Sequence, residues 1–372
     1  MEKTIKILKK PITSTVLAVL CGLIVSMVIL AFAGYNPFRS VAVLFQGIFA
    51  RPKSIASVII KATPIILTGL SVSFAFKTGL FNIGAEGQYI AATIASTVVG
   101  TMLDLPPILQ VPIVVLSGVV MGGLLGSLVG ILKARFGIHE VITSIMFNWI
   151  MLNLCNFVSN LDALHKPNTT GTYPVNESSY TMVLYKWKTS AGAANFFRNN
   201  KFWREVLLKT DLNYGIIVAI VLAFAVWFLL YRTKMGFEVR AVGYNIHASK
   251  SVGIGVKRNI VYSMLIAGAL AGLAGALNIT GISPHNISTI SVFENNGFNG
   301  LSVALIAGSS PIGCIFAGLL FSGLIYGGQS VQSVVGAPSE IINIMIGTIV
   351  FFVALANVIP ALADRLSRKV AE

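Results

Sequence analysis

Polar chemistry is concentrated in one short stretch, Gly79-Leu80-Phe81-Asn82-Ile83-Gly84-Ala85-Glu86-Gly87-Gln88, at the entrance of an otherwise apolar run. Asn82 and Gln88 bring amide donors and acceptors, Glu86 brings a carboxylate, and three glycines let backbone approach closely. In hydrocarbon such groups cost several kcal/mol each unless they are satisfied. They must therefore face a cavity or other protein. A plain structural reading makes Asn82 the N-cap of a helix and places Glu86 in its first turn, near the positive dipole end. That reading accounts for Asn82 and Glu86, but not for Gln88 and the glycines together.

Other reactive groups form no constellation. His139, His165, His247 and His285 are scattered, with neither metal spacing nor a nucleophile–base pairing. Cys21, Cys155 and Cys314 lie in apolar runs without pair spacing. No GxxxxGK[ST] phosphate loop is present. The chain is thus expected to be no enzyme and to hold no cofactor or metal of its own.

The elements that position these groups follow from composition. Of 372 residues, 55% are hydrophobic and only 11% charged, less than half the roughly 25% of soluble proteins. Most of the surface must lie in lipid. Runs long enough for a helical crossing, about 20 residues, occupy 12–34, 55–76, 81–103, 108–132, 138–158, 213–231, 259–280, 311–330 and 340–360. The run 298–309 suits a short or broken crossing. The expected fold is an all-α polytopic bundle of about ten transmembrane helices.

Charge placement orients the bundle. With ten crossings, Lys3, Lys6, Lys9 and Lys10, then Lys133 and Arg135, then the basic loop Arg232–Arg258, and finally Arg365, Arg368 and Lys369 all fall on one side. Lys and Arg mark the cytoplasmic side, so both termini are expected there. The +14 net charge reads as orientation signal and not as a nucleic-acid surface. The loop 159–212 falls outside. Its seven Lys and Arg do not oppose the rule, because long loops translocate largely regardless of charge. The first apolar segment is too long for a signal-peptide core and is expected to be retained. Span centres carry almost no charge, so no proton relay or ion site is visible. Gly118, Gly122, Gly126 and Gly130 form one i, i+4 ladder and Gly268, Gly272 and Ala276 another, best read as helix packing.

The basic loop contains Gly243-Tyr244-Asn245-Ile246-His247-Ala248-Ser249-Lys250-Ser251-Val252-Gly253. Asn245 is placed to cap a short helix from 246 to about 252, and Gly253 to stop it. Such an element suits docking onto a partner protein.

Four stretches together resemble one family. The Gly79–Gln88 stretch resembles the signature of permease subunits of ATP-binding-cassette (ABC) importers in the branched-chain amino acid, ribose and nucleoside group, and the basic loop resembles that family's coupling helix. Glu140-Val141-Ile142-Thr143-Ser144-Ile145-Met146-Phe147-Asn148-Trp149-Ile150 is similar to the EVIxTLMxNxI pattern of the nucleoside branch. Gly297-Phe298-Asn299-Gly300-Leu301-Ser302-Val303-Ala304-Leu305-Ile306, followed by Pro311-Ile312-Gly313, is similar to GFxGIAVALLGxxxP. The resemblance covers about residues 60–355 and is nearest to the purine-nucleoside, lipoprotein-dependent type. Departures are His139 where Asn is expected and Ala307-Gly308-Ser309-Ser310 before the proline.

The resemblance implies a type II-like importer permease: residues 1–372 as one transmembrane domain, 159–212 as an extracytoplasmic loop and 232–258 as a cytoplasmic coupling loop. It implies a bacterial inner or plasma membrane location. The implied partners are an ABC ATPase subunit that binds ATP and Mg, a second homologous permease or another copy of this chain, and an extracytoplasmic substrate-binding lipoprotein. Candidate pathway residues are Asn82, Glu86, Gln88, Asn148, Asn153, Phe298 and Asn299. Amides suit sugar hydroxyls or base edges, and Phe298 suits stacking on a base. Each also has a reading as interhelical hydrogen bonding or packing. Candidate coupling residues are Arg240, Gly243, Asn245, Ala248, Ser249 and Gly253. The alternatives are a ribose or galactose permease of the same type and a stand-alone secondary transporter.

Overall fold

The structure, a computed structural model, describes residues 11–197 and 200–355. In chain order the principal helices are α1 (Pro11–Phe32), α2 (Pro37–Phe49), α3 (Pro52–Lys77), α4 (Ala85–Met102), α5 (Pro107–Phe136), α6 (Glu140–Ser159), α7 (Gly215–Arg232), α8 (Lys234–Tyr244), α9 (Ile246–Ser251), α10 (Val256–Gly281), α11 (Asn296–Ile306), α12 (Pro311–Val335) and α13 (Ser339–Ala354). Among the described residues there is no strand, only isolated bridges, each with one partner or both in the long loop. Among the described residues six helices, α3, α5, α6, α7, α10 and α12, are long and apolar enough to cross a membrane. The expected crossings at 81–103 and 298–309 correspond to the 18-residue α4 and the 11-residue α11. The run 340–360 matches α13 up to Ala354, and residues 356–372 lie outside the described ones, as does the basic terminus before Pro11.

Two compact units are present: Ala56–Leu319, and the chain up to Ile55 together with the chain from Leu320. In the latter, a Cβ on Gly22 of α1 would lie 2.8 Å from the Ile349 Cα of α13, and Ser26 Oγ donates to the Met345 carbonyl at 3.2 Å. Helix α2 was not expected from the sequence. Asn36 caps it by accepting from Arg39 N at 3.0 Å, and it buries Ser40, Val43, Leu44 and Ile48 on one face.

The larger unit carries the motifs. Its centre is the α5–α10 pair, where the two small-residue ladders meet. A Cβ on Gly122 would come 2.6 Å from the Gly272 Cα, and one on Gly118 would come 2.8 Å from the Ala276 Cβ. The packing reading of both ladders is therefore what the structure shows.

This unit has two distinct ends. At the basic end, Lys133 of α5 pairs with Glu140 of α6, and Glu140 also accepts from Phe81 N at 3.4 Å. Gly137 ends α5 in the left-handed region at φ 70°, where glycine carries no Cβ penalty. His139 then caps α6, its Nδ1 accepting from Val141 N at 3.3 Å, which is how an Asn there would serve. At the loop end, Asn176 Nδ2 donates to the Leu103 carbonyl at 2.7 Å and Asn213 Nδ2 to the Gly281 carbonyl at 3.0 Å. These bonds fold the 159–212 loop back over the ends of α4 and α10.

Candidate substrate pathway and coupling surface

Two non-helical segments enter the larger unit from opposite ends. The first, 78–84, rises from Lys77 at the basic end. Asn82 Nδ2 donates to Ser71 Oγ at 3.1 Å, and Asn148 of α6 donates to the Ile83 carbonyl at 3.1 Å. The second, 282–295, descends from the end of α10. Asn156 fixes it by accepting from Ile290 N at 2.8 Å and donating to Ile290 O at 2.9 Å. Phe293 then packs edge-on against Trp149, with centroids 4.8 Å apart. Trp149 lies nine residues along α6, roughly 14 Å from Glu140 at 1.5 Å per residue.

The two segments meet at Glu86. Its carboxylate accepts from Asn295 N at 2.9 Å, Gly297 N at 2.5 Å and Phe298 N at 3.3 Å. Those are N–H groups at the start of α11, which would otherwise be unsatisfied at a positive dipole end. The 11 residues of α11 span about 16 Å, half of a 30 Å hydrocarbon core. Helix α11 is thus a half-helix whose N-terminus sits inside the bundle. Close packing holds it there. A Cβ on Gly297 would lie 2.5 Å from the Glu86 Cα, one on Gly300 would lie 2.6 Å from the Thr68 Cβ, and Thr68 Oγ1 is 2.9 Å from the Asn296 carbonyl. Irregular backbone at such depth is tolerated only where it is buried in protein or lines a polar cavity.

This geometry corrects the first reading of the signature. Gly84, and not Asn82, occupies the N-cap position of α4, and no side chain caps it. The Asn82 amide instead exchanges hydrogen bonds with Gln88, at 2.9 and 3.1 Å. Asn148 Oδ1 accepts from Gly87 N at 2.8 Å. Asn82, Glu86 and Gln88 are fully buried and Asn148 is 2% exposed, so in this conformation their polar groups bind protein. Glu86 lies in the first turn of α4, yet it caps α11.

The remaining candidates diverge. Phe298 is half-buried and packs edge-on against Phe293, with centroids 5.6 Å apart, which completes a Trp149–Phe293–Phe298 cluster. Asn299 begins the α11 ladder by donating its N–H to the Asn295 carbonyl at 2.8 Å. Asn153 lies on the exposed face of α6, donating to the Trp149 carbonyl at 2.8 Å. Sequence reasoning missed Tyr89, Glu294 and Asn296. Tyr89 OH donates to Glu294 Oε2 at 2.9 Å, and Asn296 Nδ2 donates to the Tyr89 oxygen at 2.9 Å. Tyr89 stands three residues beyond Glu86 on one helix face, a spacing that pointed to it.

At the basic end, α9 spans Ile246–Ser251 as expected. Asn245 Oδ1 accepts from Ala248 N at 3.0 Å, and Gly253 adopts φ 81° just beyond the helix. Ile246, His247, Ala248 and Val252 are exposed, whereas Ser249 is buried beneath them. Arg240 and Gly243 have another neighbour. The Arg240 guanidinium lies 5.0 Å over the Tyr231 ring, and a Cβ on Gly243 would strike the Lys77 carbonyl of α3. Helix α8 also holds α10: Glu238 accepts from Asn259 Nδ2 at 3.0 Å and from Arg258 Nη2 at 3.3 Å. The Asn259 hydrogen bond, with Arg258 beside it, keeps the Glu238 carboxyl below the usual carboxylate range.

A polytopic helical chain with a half-helix ending on a buried carboxylate, and with a capped helix projecting from its basic end, is a membrane permease. It belongs to the branched-chain amino acid transport system / permease component family, whose pattern matches residues 54–357. Across 355 residues it is 37% identical to the guanosine ABC transporter permease protein NupP of Bacillus subtilis, covering 95% of this chain and 96% of that one. It is 37% identical over 351 residues to the nucleoside ABC transporter permease protein NupB of Lactococcus lactis, covering 94% and 92%. It is 28% identical over 337 residues to the glucose ABC transporter permease protein TsgB13 of Haloferax volcanii, covering 91% and 85%. No solved structure matches significantly. The family is a transport component, so the chain is no enzyme, and it is a multi-pass membrane protein.

Proposed function

We propose that this chain is the permease subunit of an ABC importer that moves nucleosides into the cell. The observation that carries the reading is identity of 37% to NupP across nearly the whole of both chains, against 28% to a glucose permease. The junction of 78–84, 282–295 and α11 supports a pathway there. Half-helix termini and interrupted backbone inside a bundle are where polar solutes are bound. The Trp149–Phe293–Phe298 cluster offers aromatic faces, with Trp149 half-exposed, and the Asn82, Gln88, Asn148, Asn153 and Asn299 amides offer hydrogen bonds once the packing around α11 shifts.

In this reading about ten helices cross the inner or plasma membrane as a single permease domain. The basic end and both termini lie in the cytoplasm, and 159–212 forms the outer loop that meets a substrate-binding lipoprotein. A separate ATPase subunit binds ATP and Mg and contacts α9 and its end through the exposed Ala248 and Val252. Asn245 and Gly253 shape α9, Ser249 seats it, and Arg240 and Gly243 carry its movement through α8 to the end of α3. A second permease, homologous or identical, packs on the exposed apolar face of α6.

Uptake of radiolabelled guanosine, uridine and ribose by cells with and without this chain tests the reading. The expected result is loss of nucleoside uptake with ribose uptake unchanged. Unchanged uptake of every purine and pyrimidine nucleoside overturns it.

A further inference from the structure

At the basic end of the larger unit, α3, α7 and α8 enclose a cavity of about 230 Å³ lined by Phe76, Lys77, Tyr231, Arg240, Gly243 and Tyr244. Two cations and three aromatic rings line it, and no carboxylate does. Among the described residues neither Lys77 nor Arg240 is in an ion pair, so both cations at the cavity wall lack a carboxylate partner. The Tyr231 ring lies 5.0 Å from the guanidinium carbon but accepts no N–H bond of ordinary strength. The cavity is therefore built for an anion. It is smaller than the roughly 300–1,000 Å³ of a drug-sized site, so the group it takes is compact.

The surroundings select the anion. Ile217, Val221, Phe224, Phe228 and Tyr231 are all exposed and recur at helical spacing along α7. They form an apolar stripe that runs the length of the helix and ends at the cavity wall. Arg232 adds a further cation at that end, 5.8 Å over the Trp227 ring. An aromatic and basic rim at the end of an apolar stripe is how a membrane protein meets lipid headgroups.

We propose that this cavity binds the phosphate headgroup of an anionic phospholipid of the cytoplasmic leaflet, with its acyl chains along the α7 stripe. Arg240 and Lys77 hold the phosphate oxygens. Because Gly243 of the same helix rests on the Lys77 carbonyl, the lipid clamps α8 to α3 at the point where movement of α9 enters the bundle.

Native mass spectrometry of the purified transporter complex, equilibrated with phosphatidylglycerol or phosphatidylcholine, tests this. The expected result is one fewer phosphatidylglycerol retained per copy of this chain in the Lys77→Gln/Arg240→Gln variant, no change with phosphatidylcholine, and wild-type retention in Lys77→Arg/Arg240→Lys. Equal phosphatidylglycerol retention by wild type and the Gln pair overturns it. Displacement of the lipid by millimolar inorganic phosphate assigns the cavity to a free anion and overturns the lipid source. Loss of the ATPase subunit from the Gln pair with lipid retention unchanged assigns the cavity to an acidic side chain of that subunit. If the Gln pair cannot be isolated, competition on the wild-type complex decides: equal retention of the two lipids overturns the proposal.

Discussion

The carboxylate of Glu86 lies 2.5 Å from the backbone nitrogen of Gly297, although the two residues are 211 positions apart. One side chain thereby pins the start of a half-helix, α11, to the start of α4, where a segment from each end of the unit meets. Its other oxygen takes the Asn295 N–H at 2.9 Å. Replacing Glu86 by Ala leaves those N–H groups buried and unpaired, and hydrogen bonds to a charged group contribute about 1.5–3 kcal/mol each. Glu86→Ala is expected to lower the melting temperature of the purified complex and to abolish uptake. Glu86→Gln keeps one acceptor oxygen and is expected to fall between. A wild-type melting temperature in both variants removes the pin.

The aromatic cluster gives a prediction about substrate. Stacking contributes about 1–3 kcal/mol per base, and about 1.4 kcal/mol is tenfold in binding. Phe298→Ala and Trp149→Ala are expected to raise the apparent KM for nucleoside uptake roughly tenfold, with expression unchanged. Phe298→Tyr, which keeps the ring, is expected to stay within about threefold of wild type. An unchanged KM in both alanine variants takes the cluster out of the pathway.

The α5–α10 contact predicts a contrast between glycines. A Cβ at Gly268 would lie 3.0 Å from the Gly126 Cα and would also strike the Gly122 carbonyl, whereas one at Gly347 meets nothing within 4 Å. Gly268→Ala is expected to cost about 1–3 kcal/mol through overpacking. Gly347→Ala is expected to be neutral or mildly stabilising, as helix propensity favours Ala. Thermal melts in detergent compare the two, and equal melting temperatures contradict the packing.

Asn245 links local stability to coupling. Loss of its cap on Ala248 N costs about 1 kcal/mol, enough to fray a six-residue helix. Asn245→Ala is expected to leave basal ATP hydrolysis by the assembled complex in place and to lower substrate-stimulated hydrolysis and uptake together. Paired measurements of hydrolysis and uptake check this. Full stimulation in the variant separates α9 from coupling.

The contact between the 159–212 loop and the 282–295 segment should loosen in mild acid. His285 is buried against the Tyr180 ring, with centroids 3.9 Å apart, and its Nδ1 lies 2.8 Å from the Ile279 carbonyl. Burial lowers its pKa below the ordinary histidine value of about 6.5. The opened segment therefore binds a proton before the packed one does. This contribution is fully present above pH about 6.5 and is lost as pH falls from there toward the folded pKa. The protection of residues 172–182 against hydrogen exchange, taken relative to the intrinsic amide rate at each pH, should fall below that pH in wild type and stay constant with pH in His285→Gln.

Much of this was legible in the sequence because it rests on period and punctuation. The α9 cap and stop follow from Asn245 and Gly253, and the shortness of the helix at 298–309 follows from the length of its apolar run. The small-residue ladders marked both helices as close-packing, and the structure shows that they pack on each other. What was not legible depends on distant partners. Nothing local says that Glu86 caps α11 and not its own helix, or that the Asn82 amide turns to Gln88, because those choices are made by residues 295–298 and by α6. Helices α2 and α8 escaped because α2 is too short for a crossing and α8 is concealed in a basic loop that the positive-inside rule already explains.

In the proposed function this chain conducts nucleosides with energy drawn from an ATPase partner. Uptake of radiolabelled guanosine into proteoliposomes containing the complete transporter and its binding protein, with ATP supplied on the ATPase side or with only a proton or sodium gradient imposed, separates this from transport by the chain alone. ATP-dependent accumulation, undiminished by excess ribose and absent with a gradient alone, is the predicted result. Accumulation driven by a gradient without ATP, or ATP-driven uptake of ribose but not guanosine, would contradict it.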